Sequence, residues 1–183
     1  MRCFIAITLP EAALDQLEAL AARIPAGRIS PRENMHLTLV FLDEIDHDQA
    51  EELHLALSEI HHPALDIDIK GLDLFSSPTP DLLFAAIDPS PALVHLQEKV
   101  STAARNSGIS LKRRRFRPHV TLARFNRAPT GPAAERLAEF LGVYSLEMTL
   151  SFHAERVSLI QSELGRGPSR YTELAAYDLI SVI

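Results

Sequence analysis

With 183 residues, 46% hydrophobic and 23% charged, the chain has the composition of an ordinary globular domain, which excludes disordered, collagen-like and low-complexity classes. Its net charge of −6 excludes a protein that coats nucleic acid through a global positive field. The single cysteine, Cys3, excludes an intrachain disulfide and a zinc site of several thiolates, so a buried, inert thiol and a cytoplasmic setting are expected.

Taken in chain order, hydrophobic periodicity predicts a strand over Cys3 to Leu9 and a helix over Glu11 to Ile24, with Leu14, Leu17, Ala21 and Ile24 on one face. Pro10 stands at the helix entrance, where its missing N–H costs nothing. Thr8, Pro10, Glu11 and Asp15 break this N-terminal apolar run well short of the roughly 18 residues of a spanning helix, so neither a signal peptide nor a membrane anchor is expected. A strand over Met35 to Leu42 follows, then a helix over Asp46 to Ile60 with Leu53, Leu57 and Ile60 at helical spacing. Leu65 to Ile69 and Leu72 to Phe75 read as two strands joined around Gly71. The pattern then begins again, with a strand over Leu82 to Ile87 and a helix over Pro91 to Ala104 that turns Leu93, Leu96 and Val100 inward. A strand over Phe116 to Ala123 and a helix over Pro132 to Leu141 continue it, and Val143 to Leu150, Phe152 to Ile160 and Tyr171 to Leu179 complete the strands.

The order of elements is thus written twice at a nearly constant offset. Phe4-Ile-Ala-Ile7 answers Leu83-Phe-Ala-Ala-Ile87, and His36 answers His119 at an offset of 83. A tandem duplication places equivalent residues around a pseudo-twofold axis, so two lobes facing one cleft are expected within a single domain over 1–183. The repeats run approximately over 3–76 and 82–162, with a closing strand at 171–179.

At equivalent points of the two halves stand His36-Leu-Thr38-Leu39 and His119-Val-Thr121-Leu122. With 8 His, 8 Thr and 27 Leu in the chain, random placement gives about 0.05 copies of H-x-T-L, and two copies arise by chance about once in a thousand such chains. Alternation along a strand puts His36 and Thr38 on one face and Leu37, Leu39 and Phe41 on the other; His119 and Thr121 likewise oppose Val120 and Leu122. If the pseudo-twofold brings the two faces together, one centre holds two imidazoles and two hydroxyls. Such a centre suits in-line hydrolysis of a phosphodiester: a neutral imidazole takes a proton from water, a cationic one protonates the leaving oxygen, and the hydroxyls donate to the non-bridging oxygens.

The paired motifs extend into longer runs: Arg2-Cys-Phe-Ile-Ala-Ile7, Glu33-Asn-Met-His36-Leu-Thr38-Leu-Val-Phe-Leu42, Arg117-Pro118-His119-Val-Thr121-Leu-Ala-Arg124, and Leu159-Ile-Gln-Ser162-x-Leu164 with Gly167-Pro168-x-x-Tyr171. Over essentially the whole chain this resembles the two-histidine phosphoesterase superfamily, and within it the bacterial and archaeal RNA 2′,3′-cyclic phosphodiesterases once called 2′-5′ RNA ligases. The resemblance implies a bilobal α+β fold, two pseudo-symmetric lobes of antiparallel sheet with helices outside and a central cleft. It implies His36 and His119 as catalytic residues, Thr38, Thr121 and Arg124 as substrate-binding residues, and neither metal nor other cofactor. The implied reaction is hydrolysis of a 2′,3′-cyclic phosphate on an RNA 3′ end or a nucleotide to a 2′-phosphomonoester, with 2′-5′ ligation as its reverse. His119 is assigned as the base and His36 as the acid, in a monomer without a membrane partner. The sequence departs from the family at Asp43, where members often carry Gly, and at Phe84, where many carry Trp.

Strand alternation conflicts with one of these residues. Arg124 lies three positions after Thr121, so on an uninterrupted strand it faces the apolar side; either the strand ends or bulges after Leu122, or Arg124 lies outside the site. Seven of the 18 cations, Lys112, Arg113, Arg114, Arg115, Arg117, Arg124 and Arg127, fall in one short region that leans toward an oligonucleotide. The remaining histidines read as bland: His54, His61 and His62 as surface residues, His47 and His95 as solvated helix positions, and His153 at the start of a strand. Tyr171, Phe84 and Phe125 are core residues or base-stacking rings. Rival functions are a non-catalytic module that binds nucleotides or RNA ends, and a cyclic phosphodiesterase for another small metabolite.

Overall fold

A computed structural model describes residues 1–76, 80–163, 165 and 169–180. Leu164, Gly167 and Pro168 of the closing motif lie outside the described residues. The chain runs through β1 (Arg2–Thr8), α1 (Glu11–Ala21), β2 (Arg28–Ile29), a 3-10 turn (Arg32–Asn34), β3 (His36–Glu44), α2 (His47–Ser58), β4 (Leu65–Ser76) and β5 (Pro80–Ile87). It continues through α3 (Pro91–Asn106), β6 (His119–Arg124), α4 (Pro132–Glu147), β7 (Thr149–Ala154), β8 (Arg156–Glu163) and β9 (Arg170–Asp178). Among the described residues, four helices and nine antiparallel strands make a mixed α+β fold, with strand order β7-β4-β5-β6-β3-β1-β8-β9 and β2 paired to β6.

Local signals start the helices where the sequence places them. Asp46 and Gln49 form a reciprocal capping box at α2, and Ser90 caps α3 by accepting from the Leu93 amide ahead of Pro91. The predicted apolar faces are the buried ones: Leu17 and Ala21 of α1, Leu53 and Leu57 of α2, and Leu93, Leu96 and Val100 of α3. Arg32 ties α1 to the start of β3, because its guanidinium bonds Glu11, Asp15 and Glu18 at 2.6, 2.8 and 2.9 Å. Cys3 is buried and free, and burial pushes its thiol pKa up, as expected of an inert thiol.

Five predicted strands are corrected. Val143 to Glu147 is helical, because Leu137, Leu141, Tyr144 and Met148 turn one stripe to the core and the Phe140 and Tyr144 rings pack at 4.7 Å across one helical turn. The segment after it breaks at Glu155 into β7 and β8 rather than running unbroken from Phe152 to Ile160. Leu65 to Ser76 is one strand: Gly71 is no linker but a close approach, with φ +83 and its amide donating to the Met148 carbonyl at 2.8 Å. β6 starts at His119 rather than Phe116, since Pro118 has no N–H to donate to a ladder. The short β2 carried no periodicity from which to predict it. No helix among the described residues is long and apolar enough to cross a membrane.

Candidate active site

β3 and β6 meet at one antiparallel pair, Leu37 with Val120, and these two positions differ by the same 83 residues that separate His36 from His119. Both are fully buried. Continuing the register by one residue each way sets His36 opposite Thr121 and Thr38 opposite His119, with all four side chains on the other face of the sheet. The flanking strands repeat the relation: Thr8 and Ala6 pair with His36 and Thr38, as Ala86 and Phe84 pair with His119 and Thr121.

Both strands bulge just beyond the threonine. On β6, Phe84 pairs with Thr121 and Leu83 with Ala123, leaving Leu122 without a partner; on β3, Ala6 pairs with Thr38 and Ile5 with Val40, leaving Leu39 without one. Two successive residues are therefore buried in each strand, Leu122 with Ala123 and Leu39 with Val40, and alternation inverts after them. Arg124 is thereby exposed on the histidine side, which resolves the conflict in favour of a bulge. The same inversion corrects the reading of Phe41, which is 56% exposed rather than turned into the core. Phe41 and Arg124 occupy equivalent positions, one aromatic and one cationic, so the two halves of the site differ in chemistry just outside the histidines.

A backbone group two residues earlier faces each imidazole. His119 Nδ1 lies 2.7 Å from the Arg117 carbonyl oxygen, and the Asn34 backbone stands close enough to His36 to favour its protonated form. Donation from Nδ1 leaves the Nε2 of His119 free. Two aromatic rings wall each histidine. Phe4 stacks on His36 at 4.7 Å and Tyr171 meets it edge-on at 5.2 Å; Phe75 and Phe84 meet His119 edge-on at 5.0 and 5.2 Å. The Asn34 side chain donates to the Ser169 carbonyl at 3.0 Å, which draws the start of β9 and Tyr171 over His36. Sequence reasoning missed Phe4, Phe75 and Asn34; the offset relating the two halves could have found Asn34, which corresponds to Arg117.

Burial pushes the His36 pKa down to about 4, with the positive charge of the His119 ring and the Arg124 guanidinium acting in the same direction. Burial also lowers His119, where the bond to the Arg117 carbonyl works against it and Arg124 and Arg117 add to the fall. Both shifts favour neutral rings near pH 7 in the free protein, and an anion between them would favour protonation of one. This fixes a sign for activity that needs one protonated and one neutral ring. Because both values lie below the ordinary 6.5, the singly protonated pair of the free protein is lost as pH rises toward 6.5. In a pH–rate profile, kcat/KM is expected to fall on its basic side below about pH 6.5, while kcat, which reports the anion-bound state, holds to higher pH. A basic limb of kcat/KM above pH 7 would contradict this.

The remaining predicted residues disperse. Lys112 pairs with Asp43 at 2.7 Å, and Arg114 adds to the field that lowers the Asp43 carboxyl. Asp43 has φ +57, a conformation that favours glycine and that aspartate tolerates. Arg117 instead lies 3.7 Å from Asp73 and over the Phe75 ring, so the seven cations do not form one patch. Phe125 is core, and Phe84 and Tyr171 serve as walls of the histidines. His153 sits on β7, three strands from β6, bonded to Asp66 at 2.8 Å. His62 is corrected from surface to buried, at 2% exposure, with Nδ1 bonded to the Pro63 carbonyl and its ring against His95.

Comparison with known proteins adds to this geometry. The sequence profile of the 2′-5′ RNA ligase superfamily matches residues 8–166. The chain is 29% identical to an RNA 2′,3′-cyclic phosphodiesterase of Escherichia coli over 97% of its own length and 96% of the relative's. Its fold superposes on the crystal structure of E. coli LigT complexed with 3′-AMP with a TM-score of 0.79 at 26% identity, covering 97% of both chains. A structure from Thermus thermophilus superposes with a TM-score of 0.78 at 27% identity and the same coverage.

Proposed function

Because the chain belongs to the 2′-5′ RNA ligase superfamily, we propose that it hydrolyses 2′,3′-cyclic phosphates of RNA 3′ ends or nucleotides to 2′-phosphomonoesters. The observation that carries this reading is the pair of strands whose register sets two imidazoles and two hydroxyls on one face, with the His119 imidazole oriented by the Arg117 carbonyl. The sheet halves on either side of the β3–β6 pair form the two lobes of the proposed cleft.

In this reading the cyclic phosphate sits between the histidines. His119 Nε2 takes a proton from a water molecule, whose oxygen attacks phosphorus in line with the bond to O3′. That bond breaks, His36 gives its proton to the departing O3′, and the 2′ ester remains. Neither proton is lost: one ends on His119 and one on the new 3′ hydroxyl, and exchange with water resets the pair. The phosphate charge offsets the burial penalty and the repulsion from His119 and Arg124 that together keep His36 neutral in the free protein, so binding the anion charges the acid. Thr38 and Thr121 donate to the non-bridging oxygens, where negative charge is held in the transition state.

Arg124 reaches the same phosphate from the bulge. A charged hydrogen bond is worth about 1.5 to 3 kcal/mol, so Arg124→Ala is expected to lower kcat/KM for a 2′,3′-cyclic mononucleotide by roughly 10- to 100-fold. Unchanged kcat/KM would remove Arg124 from the site. The same assay tests the reading as a whole, since a protein that only binds nucleotides yields no product.

A further inference from the structure

A cavity of about 370 Å³ is lined by Arg124 together with Gly27, Arg28, Asn126, Arg127 and Pro129, among others. β2 shapes it. Gly27 has φ +93, and a Cβ there would stand 2.8 Å from the Phe125 ring and 3.1 Å from the Arg124 carbonyl oxygen, so glycine lets the chain pass this close. The next residue, Arg28, is the antiparallel partner of Arg124. Directly opposed residues put their side chains on one face of a sheet, so the two arginines project from the same face.

Among the described residues, neither Arg28, Arg124 nor Arg127 forms an ion pair with a carboxylate. The chain is not short of acid, with 24 Asp and Glu against 18 Lys and Arg. Arg32 alone takes three carboxylates, and Arg117 takes Asp73. Three unpaired guanidiniums around an open cavity, one of them shared with the histidine face, call for an anion that comes with the substrate. A terminal 2′,3′-cyclic phosphate has no nucleotide after it, so the next anion along an RNA is the phosphodiester on the 5′ side of the same nucleoside.

We propose that Arg28 and Arg127, joined to the histidine face by Arg124, form a subsite for that 5′ phosphodiester and make an RNA 3′ end a better substrate than a free nucleotide. The placement rests on the cyclic phosphodiesterase reading above. The test uses two dinucleotides ending in a 2′,3′-cyclic phosphate, one with an ordinary linkage and one with a neutral methylphosphonate. Wild-type protein is expected to favour the charged linkage about tenfold in kcat/KM, with a smaller preference at high salt. The double variant Arg28→Gln, Arg127→Gln should show no preference. Binding of the two corresponding 2′-phosphate products, read as Kd, should follow the same pattern without any turnover. If the wild type does not discriminate, or the double variant keeps the full preference, the subsite is wrong. If no cyclic phosphate is turned over, the cyclic phosphodiesterase reading fails and the product Kd values alone decide the subsite.

Discussion

His36→Ala and His119→Ala are each expected to lower kcat by at least about 10²-fold with modest change in KM, because a positioned general acid or base contributes about 10²- to 10⁴-fold. The buried walls around the rings favour this separation of effects. His36 rests on Phe4 and His119 on Phe75 and Phe84, so removing an imidazole leaves an apolar recess and does not strip Thr38, Thr121 or Arg124 from the phosphate. In the proposed mechanism the two histidines act in one concerted transfer, so the double variant should lose less than the product of the single losses. An analogue whose 3′ leaving group needs no protonation should restore His36→Ala and leave His119→Ala inactive; the reverse pattern would exchange their roles. A single variant with near wild-type kcat would make that histidine structural.

Gly71→Ala is expected to be the most destabilising single methyl addition in β4. The new Cβ would collide with the Ser145 carbonyl at the end of α4, a backbone atom that cannot swing aside, and the φ of +83 is itself unfavourable for alanine. Clash and strain together cost more than about 3 kcal/mol, which for a chain of this length lowers Tm by roughly 10 °C. The effect should also reach the site, because β4 carries Phe75, which walls His119. An unchanged Tm would mean that α4 does not dock on this strand.

The contrast between Gly71 and the histidines explains which parts of the molecule were legible in the sequence. His36, Thr38, His119 and Thr121 were legible because motif spacing and strand alternation are local properties, and the common offset of 83 carried the symmetry. Arg124 and Phe41 were not, because a bulge is decided by which partner residue goes unmatched across the ladder, and neither Leu39 nor Leu122 announces that. Val143 to Glu147 reads as a strand by composition and is helical because the core takes Leu141, Tyr144 and Met148 from one side. His62 is buried although it flanks an exposed turn, since its carbonyl accepts from Ile180 at the far end of the chain. In each case the missing information is a long-range partner.

The central claim is that two imidazoles supply the acid and base that open a 2′,3′-cyclic phosphate, with neither role given to a metal ion. The most direct measurement follows a 2′,3′-cyclic mononucleotide by phosphorus NMR with purified protein in excess EDTA. The account predicts sustained turnover with one product, the 2′-phosphomonoester. Turnover that stops in EDTA and returns with added divalent metal, or a 3′-phosphomonoester as the product, would contradict it.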